Sequence, residues 1–108
     1  MAGLGELEQL VLLALLRIGP GAYGAEIRRE LKERAGRDVS AGTIYPTLDR
    51  LERKGLVTSW MSEPIAERGG RARRSYEVEP AGVDAARRAW REVRALASGL
   101  EAVLGGRP

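Results

Sequence analysis

The stretch GTIYPTLDRLERKGLV, residues 42–57, decides the fold of this chain. Its apolar side chains recur at the spacing of one face of an α-helix: Ile44, Leu48 and Leu51. Gly55 ends this pattern, and a run with β character begins directly after it. The sequence therefore predicts a half-buried helix from Ala41 to Lys54.

A proline, Pro46, lies inside this predicted helix, where it removes one hydrogen bond and crowds the carbonyl group four residues back. At about 100° per residue, Pro46 faces away from the apolar stripe, so the core contacts are preserved. Two interpretations follow: the proline only bends or shortens the helix, or its ring offers a rigid apolar contact to a thymine methyl group. The outer face around it is polar and basic, with Thr43, Arg50 and Arg53 at its centre and Tyr45, Asp49, Thr47 and Lys54 on its flanks.

A short turn joins this helix to an earlier one, YGAEIRRELKERAG, residues 23–36, which Gly36 ends. Ser40 is a good N-cap for the next helix, and Val39 and Ile44 have the spacing of a hydrophobic staple. Two helices joined in this way form a helix-turn-helix. In that motif, the N-terminal half of the second helix enters the major groove of DNA.

Two runs with β character follow, at residues 56–61 and 74–78, and the polar segment between them contains Gly69 and Gly70. We expect a hairpin here, with a flexible loop as the alternative. A basic, glycine-rich hairpin can follow a phosphate backbone or a minor groove. The basic residues of this predicted wing are Arg68, Arg71, Arg73 and Arg74.

Both ends of the chain are predicted to be helical. The first helix, Leu4 to Ile18, is apolar almost all round between Leu10 and Leu16, so it must be covered on more than one side. Pro80 opens a final helix of about 25 residues, followed by a frayed tail. Its apolar positions form an a/d heptad over three repeats: Val83, Ala86, Trp90, Val93, Ala97, Leu100 and Leu104.

The predicted fold class is mainly α with a small β-hairpin. A winged helix-turn-helix with its N-terminal helix occupies residues 1–79, and a C-terminal dimerisation helix with its tail occupies residues 80–108. Apolar helices at both ends suggest a two-fold dimer that buries them, although the final helix could instead pack on its own domain. The predicted interface residues are Leu7, Val11, Val83, Trp90, Val93, Ala97, Leu100 and Leu104.

Trp90 occupies an a position of this heptad, where a large ring packs poorly against its symmetry mate. It is either a core aromatic or a platform for a flat effector. The candidate effector-binding residues are Trp90, Ala86, Val93 and Ala97.

Composition narrows the class of protein. The 108 residues carry a formal charge of +3 and contain neither cysteine nor histidine. Thiol nucleophiles, zinc sites of the usual kind and the commonest general base are therefore excluded, and we expect neither a cofactor, a metal nor an enzyme. The lack of cysteine fits a cytoplasmic protein. The longest apolar run, residues 10–16, is too short to span a bilayer, so no membrane partner is expected.

Four motifs together resemble the PadR family of bacterial transcriptional regulators over roughly residues 4–94. They are LGELEQLVLLALL, YGAEIRREL, GTIYPTLDRLERKGLV and GGRARRSYEVEPAG. The resemblance implies a winged helix-turn-helix dimer that represses transcription at a palindromic operator and is relieved by small aromatic or drug-like molecules. It implies that Tyr45, Pro46, Thr47 and Arg50 face DNA and that Gly69, Gly70 and Arg71 lie in the wing. The single C-terminal helix is similar to the smaller subfamily. Glu79 departs from the family, which often has threonine before PAG.

The sequence thus predicts a ligand-responsive repressor that binds double-stranded DNA as a homodimer. The alternative is a winged-helix module that binds protein and no DNA. The candidate DNA-binding residues are Ser40, Thr43, Tyr45, Pro46, Thr47, Arg50, Arg53 and Lys54 in the helix-turn-helix, and Arg68, Gly69, Gly70, Arg71 and Arg73 in the wing.

Overall fold

The computed structural model of the chain describes residues 3–62 and 73–105. The elements follow one another as α1 (Glu6–Ile18), β1 (Ala22–Tyr23), α2 (Gly24–Ala35), α3 (Ala41–Arg53), β2 (Val57–Met61), β3 (Arg74–Val78), α4 (Pro80–Ala97) and α5 (Glu101–Leu104). This order confirms the predicted winged helix-turn-helix within a mainly helical fold.

The sheet has three strands rather than the two that the sequence predicts. All pairs are antiparallel in the order β1-β3-β2, and β2 pairs with β3 from Val57↔Val78 to Met61↔Arg74. The added strand β1 places Ala22 opposite Tyr76 and Tyr23 opposite Ser75. Tyr23 was predicted as the first residue of a helix, but its extended backbone makes it the N-cap of α2 instead.

One core lies beneath α1 and joins it to α2, α3 and the sheet. Its fully or nearly fully buried side chains are Val11, Leu12, Leu15, Ile27, Leu31, Ile44, Leu48, Leu51, Val57 and Tyr76. Burial raises the pKa of the Tyr76 phenol to about 12, so this ring stays neutral at physiological pH. Leu13 and Leu16 lie on the opposite side of α1 and are exposed. The domain therefore covers one side of this apolar helix and leaves the other uncovered.

Two predicted helix starts differ from the structure in detail. Helix α1 begins at Glu6 rather than Leu4, because the Gly5 N–H donates to the Glu8 carboxylate at 2.8 Å and caps the helix there. Ser40 does occupy the N-cap of α3, in an extended conformation. Its hydroxyl, however, donates to Thr43 Oγ1 at 3.2 Å and accepts no backbone N–H.

The long C-terminal helix is present, but it has 18 residues rather than the predicted length of about 25. Helix α4 ends at Ala97, and the short helix α5 begins only at Glu101. Between them, Gly99 has a φ of +89°, a left-handed conformation that an α-helix cannot pass through. Leu100 and Leu104 therefore do not continue the helical face that Val83 begins.

The first half of α4 is held tightly against the start of β2. Gly82 is buried, and a Cβ atom there would collide with the carbonyl oxygen of Leu56. The same oxygen accepts a hydrogen bond from the Glu79 N–H at 2.9 Å. Because only a glycine permits this approach, α4 and the winged domain share one packed junction. Within the described residues, none of the helices has the length and apolar character needed to cross a bilayer.

Candidate nucleic-acid interface

The outer face of α3 is exposed, as predicted, while its inner face lies in the core. Ile44, Leu48 and Leu51 are completely buried. The exposed candidate DNA-binding residues of the helix and its caps are Ser40, Thr43, Tyr45, Pro46, Arg50, Arg53 and Lys54. A helix-turn-helix presents its second helix to DNA through such a face.

The prediction that Thr47 lies on the exposed flank is wrong, because its side chain is completely buried. Its hydroxyl donates to the Thr43 carbonyl oxygen at 2.8 Å and accepts from Arg50 Nη2 at 3.2 Å. The spacing contained this information: residues 44, 47, 48 and 51 form a complete i, i+3, i+4, i+7 stripe. Thr47 therefore acts inside the protein, as a support for Arg50.

Pro46 does not shorten the helix, since α3 is continuous from Ala41 to Arg53. Pro46 has no N–H to donate to the Gly42 carbonyl group. Both residues are exposed, so this missing hydrogen bond lies on the solvent side and the buried stripe is intact. The structure thus accommodates the proline at the one face where it does not disturb the core.

Tyr45 is held against the start of α2. A Cβ atom at Gly24 would collide with the Tyr45 hydroxyl group and ring, so the tyrosine occupies the space that this glycine leaves open. The rest of the tyrosine, 42% of its surface, remains exposed. Tyr45 therefore fixes the contact between the two helices of the motif and still presents part of its ring outward.

A buried carboxylate, Glu8 of α1, lies behind α3, and no local sequence pattern singles it out. Lys54 Nζ donates to Glu8 Oε1 and Oε2 at 2.8 and 2.9 Å, and Arg50 Nε lies 3.5 Å from Oε2. Lys54, which was predicted to contact DNA, is exposed as a residue, and its ammonium group is paired with Glu8 within the domain.

Two opposing effects act on the acidity of Glu8. Burial by itself raises the pKa of this carboxyl. The hydrogen bonds from Lys54 and the Gly5 N–H, together with the charges of Lys54 and Arg50, outweigh burial and hold the pKa below its usual value. Glu8 is therefore ionised at neutral pH, as a partner of two cations must be.

The wing is the β2–β3 hairpin, and its described base is anchored to the helix-turn-helix. The Arg73 guanidinium lies 4.7 Å from the centre of the Tyr23 ring, a cation–π contact with the N-cap of α2. Arg74 Nη1 donates to Ser59 Oγ at 3.0 Å, and that hydroxyl donates to Glu52 at 2.8 Å. The remaining candidate wing residues lie outside the described residues: Arg68, Gly69, Gly70 and Arg71.

The predicted dimer and effector residues separate into three groups by burial. Val11 and Ala86 are buried in the core of their own chain, so neither is available to a second subunit or an effector. Leu7, Val83 and Ala97 are half-buried. We define the outer segment as residues 90–104, and its large apolar side chains are exposed: Trp90, Val93, Leu96, Leu100, Val103 and Leu104.

A pocket of about 260 Å³, which the sequence did not predict, lies where α4 meets the end of α3. The residues that line it include three charged side chains: Gly3, Leu4, Lys54, Leu56, Ala85, Arg88, Ala89 and Glu92. Trp90 does not line this pocket.

Comparison with known proteins agrees with this architecture. Residues 12–88 match the model of the Transcriptional regulator PadR-like family. Transcriptional regulator Rv3488 of Mycobacterium tuberculosis is 44% identical over 84 residues, which cover 78% of this chain and 71% of the relative. Transcriptional activator GvpE2 of Halobacterium salinarum is 43% identical over 47 residues, which cover 44% of this chain and 24% of that protein.

A solved structure shares the fold over nearly the whole chain. The PadR family transcriptional regulator from Eggerthella lenta superposes with a TM-score of 0.69 at 28% identity, over 94% of this chain and 88% of that one. The predicted resemblance is therefore confirmed. The chain therefore belongs to the PadR-like family of DNA-binding transcriptional regulators, as shown by the matching family model and by a relative that covers most of the chain, in agreement with its winged helix-turn-helix fold.

Proposed function

We propose that this regulator is a repressor, that it binds a palindromic operator as a homodimer, and that a small flat aromatic or drug-like molecule bound near Trp90 releases it. The observation that carries the proposal is the uncovered apolar surface of the outer segment. The regulator acts on DNA in the cytoplasm and catalyses no reaction. Residues 1–79 contact DNA, and residues 80–108 join the subunits.

The exposed outer segment supports the homodimer. Leu96 and Val103 are 82% and 81% exposed in the single chain, and four more large apolar side chains lie beside them in sequence. An apolar patch of this kind on a soluble protein marks a binding surface. A two-fold axis through the patch pairs it with itself and presents two recognition helices to two half-sites, which is the symmetry of a palindrome.

The proposed DNA contacts come from α3 and the wing. Ser40, Thr43, Tyr45 and Pro46 form the N-terminal half of the reading face. Arg50 and Arg53 extend it by about two turns, and a guanidinium can pair with guanine through two hydrogen bonds. In the wing, Arg73 and the undescribed Arg68, Gly69, Gly70 and Arg71 contact the backbone and position the helix.

Binding to the chain's own upstream DNA at two salt concentrations tests this assignment. Steep loss of affinity with salt is the signature of phosphate contacts. Arg50→Ala should weaken operator binding by about 1–3 kcal/mol, whereas Arg71→Ala should weaken operator and random DNA alike and reduce the salt slope by about one. Arg87→Ala, on the exposed surface of α4, is the matched control. If neither duplex binds, the protein-binding module becomes the better interpretation.

Repression is proposed because a dimer seated on an operator needs no further surface to exclude the transcription machinery. GvpE2 is named an activator, but it shares only 47 residues with this chain, 24% of its own length. A reporter fused to the upstream region tests the direction of regulation. Expression should rise when the gene for this chain is deleted, and a fall would show activation.

An effector site at the proposed interface between the two outer segments is inferred from the position of Trp90. The indole is 53% exposed, beside the exposed Val93 and the half-buried Ala97. The chain has two tryptophans, so Trp60→Phe leaves Trp90 as the only one. Titration of this variant with flat aromatic compounds should change the emission of Trp90 as the operator is released. A compound that releases the operator without changing the emission, and that acts equally on Trp90→Leu, would place the site elsewhere.

A further inference from the structure

Glu8 is a buried carboxylate with both oxygen atoms occupied. The residue is 5% exposed. Its Oε1 accepts hydrogen bonds from the Gly5 N–H and from Lys54 Nζ, each at 2.8 Å. Its Oε2 accepts a second hydrogen bond from Lys54 at 2.9 Å and lies 3.5 Å from Arg50 Nε. One residue of α1 thus holds two cations at the end of the recognition helix.

Arg50 is fixed at two of its three nitrogen atoms. Its Nε faces Glu8, and its Nη2 donates to Thr47 Oγ1 at 3.2 Å. Thr47 is itself fixed, because its proton goes to the Thr43 carbonyl oxygen at 2.8 Å. The Arg50 side chain nevertheless remains 48% exposed. A guanidinium has five N–H donors in a planar fork, so the donors not directed at Glu8 and Thr47 remain for an outside partner in a set orientation.

Lys54 is in the opposite situation. Its ammonium group contacts both oxygens of Glu8. Moving it to a phosphate would leave a buried carboxylate with only Arg50 and one backbone N–H as partners, which is strongly unfavourable. The ion pair therefore keeps the charge of Lys54 on the protein side of α3, where it adds little to sequence-independent attraction for DNA.

We propose that Glu8 is a positioning residue for DNA recognition: it keeps Lys54 from the phosphate backbone, orients Arg50, and so sets the preference for operator over random DNA. The inference rests on the proposed contact of Arg50 with DNA. Orientation of a guanidinium favours the directional contact to a base. Neutralisation of a second cation weakens the contacts that every sequence offers equally. The first effect raises the ratio of operator to random affinity, whereas the second lowers the affinity for both and makes the salt slope shallower.

Glu8→Gln tests the proposal, because it keeps the shape of the side chain and removes its charge. Fluorescence anisotropy measures binding to the upstream duplex and to a random duplex across a range of salt concentrations. We expect random DNA to bind more tightly, with a salt slope steeper by about one, since one more cation reaches a phosphate. The operator-to-random ratio should fall about tenfold. An unchanged ratio and slope would overturn the proposal.

Glu6→Gln is the matched control. Glu6 lies on the same helix, its side chain is 79% exposed, and it pairs with Arg37 at 3.2 Å rather than with α3. The two variants change the net charge equally. Equal changes in ratio and slope would show a general charge effect and overturn the role of Glu8.

An Arg50→Ala background separates the two parts of the proposal. There, Glu8→Gln should still steepen the salt slope, because the slope depends on Lys54. It should leave the ratio unchanged, because the ratio depends on Arg50. A further tenfold fall of the ratio in this background would overturn the positioning role.

A measurement without DNA or substitution tests the contact itself. The chain has two lysines, Lys32 and Lys54. In ¹⁵N NMR of the amino groups, Lys54 should show slow proton exchange and the exposed Lys32 fast exchange. Equally fast exchange would overturn the inference even in a protein that binds its operator as proposed. A protected Lys54 in a protein that does not prefer its upstream DNA would support the Glu8 contact and contradict the proposed function instead.

Discussion

Helix α1 and the outer segment are both rich in apolar side chains, but the domain covers only the first. Val11, Leu12 and Leu15 of α1 are at most 2% exposed, because α2, α3 and the sheet surround one side of that helix. Leu96 and Val103 of the outer segment are more than 80% exposed, and the buried residues of α4 end at Ala86. The same apolar pattern therefore serves the fold of one chain in α1 and, as we propose, the association of two chains in the outer segment.

This difference teaches that periodicity predicts a face that must be covered, and not what covers it. The cover depends on which other elements the chain brings within reach. For α1, the covering elements α2, α3 and the sheet lie next to the helix. For the outer segment, no element of the described residues covers its exposed apolar side chains. Four substitutions or conditions test this contrast, from the largest expected effect to the smallest.

Leu12→Ala should lower the free energy of unfolding by about 2–5 kcal/mol, because it leaves a cavity in a site with no exposed surface. Urea denaturation measures this change. Leu13→Ala, one residue along and on the exposed side of α1, is the control and should change stability far less. Equal losses in the two variants would mean that α1 is covered all round.

Leu96→Asp should have the opposite profile. It should change the stability of the isolated chain by less than about 0.5 kcal/mol, since the side chain is exposed. The dimer dissociation constant should rise about 30-fold or more, because a charge enters the seam. Sedimentation at several concentrations measures it. A dimer as tight as that of the unsubstituted chain would remove the outer segment from the interface.

Gly82→Ala tests the junction that attaches α4 to the domain. The new Cβ would meet the Leu56 carbonyl oxygen and would lie 2.7 Å from Val78 Cγ1, so either α4 or β2 must shift. We expect a loss of about 1–3 kcal/mol in thermal or urea unfolding. Gly42→Ala is the control, because the nearest heavy atom to its Cβ is Ser40 Oγ at 3.8 Å. A neutral Gly82→Ala would show that α4 is loosely attached.

The ion pair between Glu8 and Lys54 predicts a smaller, pH-dependent change in the free energy of unfolding. The pKa of Glu8 is lower in the folded chain than its usual value of 4.5. The carboxylate therefore adds stability that is fully present above pH 4.5 and is lost as pH falls through the folded pKa. Denaturation at pH 7 and at lower pH values measures the difference. Glu8→Gln should show a weaker acid dependence than Glu6→Gln, and identical curves would contradict the assignment.

The fold was largely predictable because its signals are local. The stripe of α3 and the two runs of the hairpin each carry their own periodicity, and Gly36 and Gly55 mark helix ends. Strand β1 has two residues, too few for any period, and its existence depends on pairing with β3. The end of α4 was missed because the heptad spacing continues across Gly99 in sequence while the helix does not.

The candidate site was predictable in outline only. The exposed face of α3 follows from the helical period alone. The pairing of Lys54 with Glu8 joins residues 46 positions apart in the chain, and no local pattern announces it. Thr47 was placed on a flank of the outer face, but it lies on the buried side of α3. Its spacing from Ile44 and Leu51 placed it in the core, and its hydrogen bond to Thr43 makes burial tolerable.

The close contact of Gly82 with Leu56 joins the first half of α4 directly to the winged domain. Helix α4 has 18 residues and is about 27 Å long. In an assembly held together through the outer segment, α4 acts as a lever that connects this contact to the winged domain. A tilt of α4 by about 5° at the outer segment then moves the winged domain by about 2 Å. Small changes in the contact between two outer segments would thus change the distance between two winged domains. DNA has a fixed helical repeat, so this distance decides whether both domains meet the same face of a duplex.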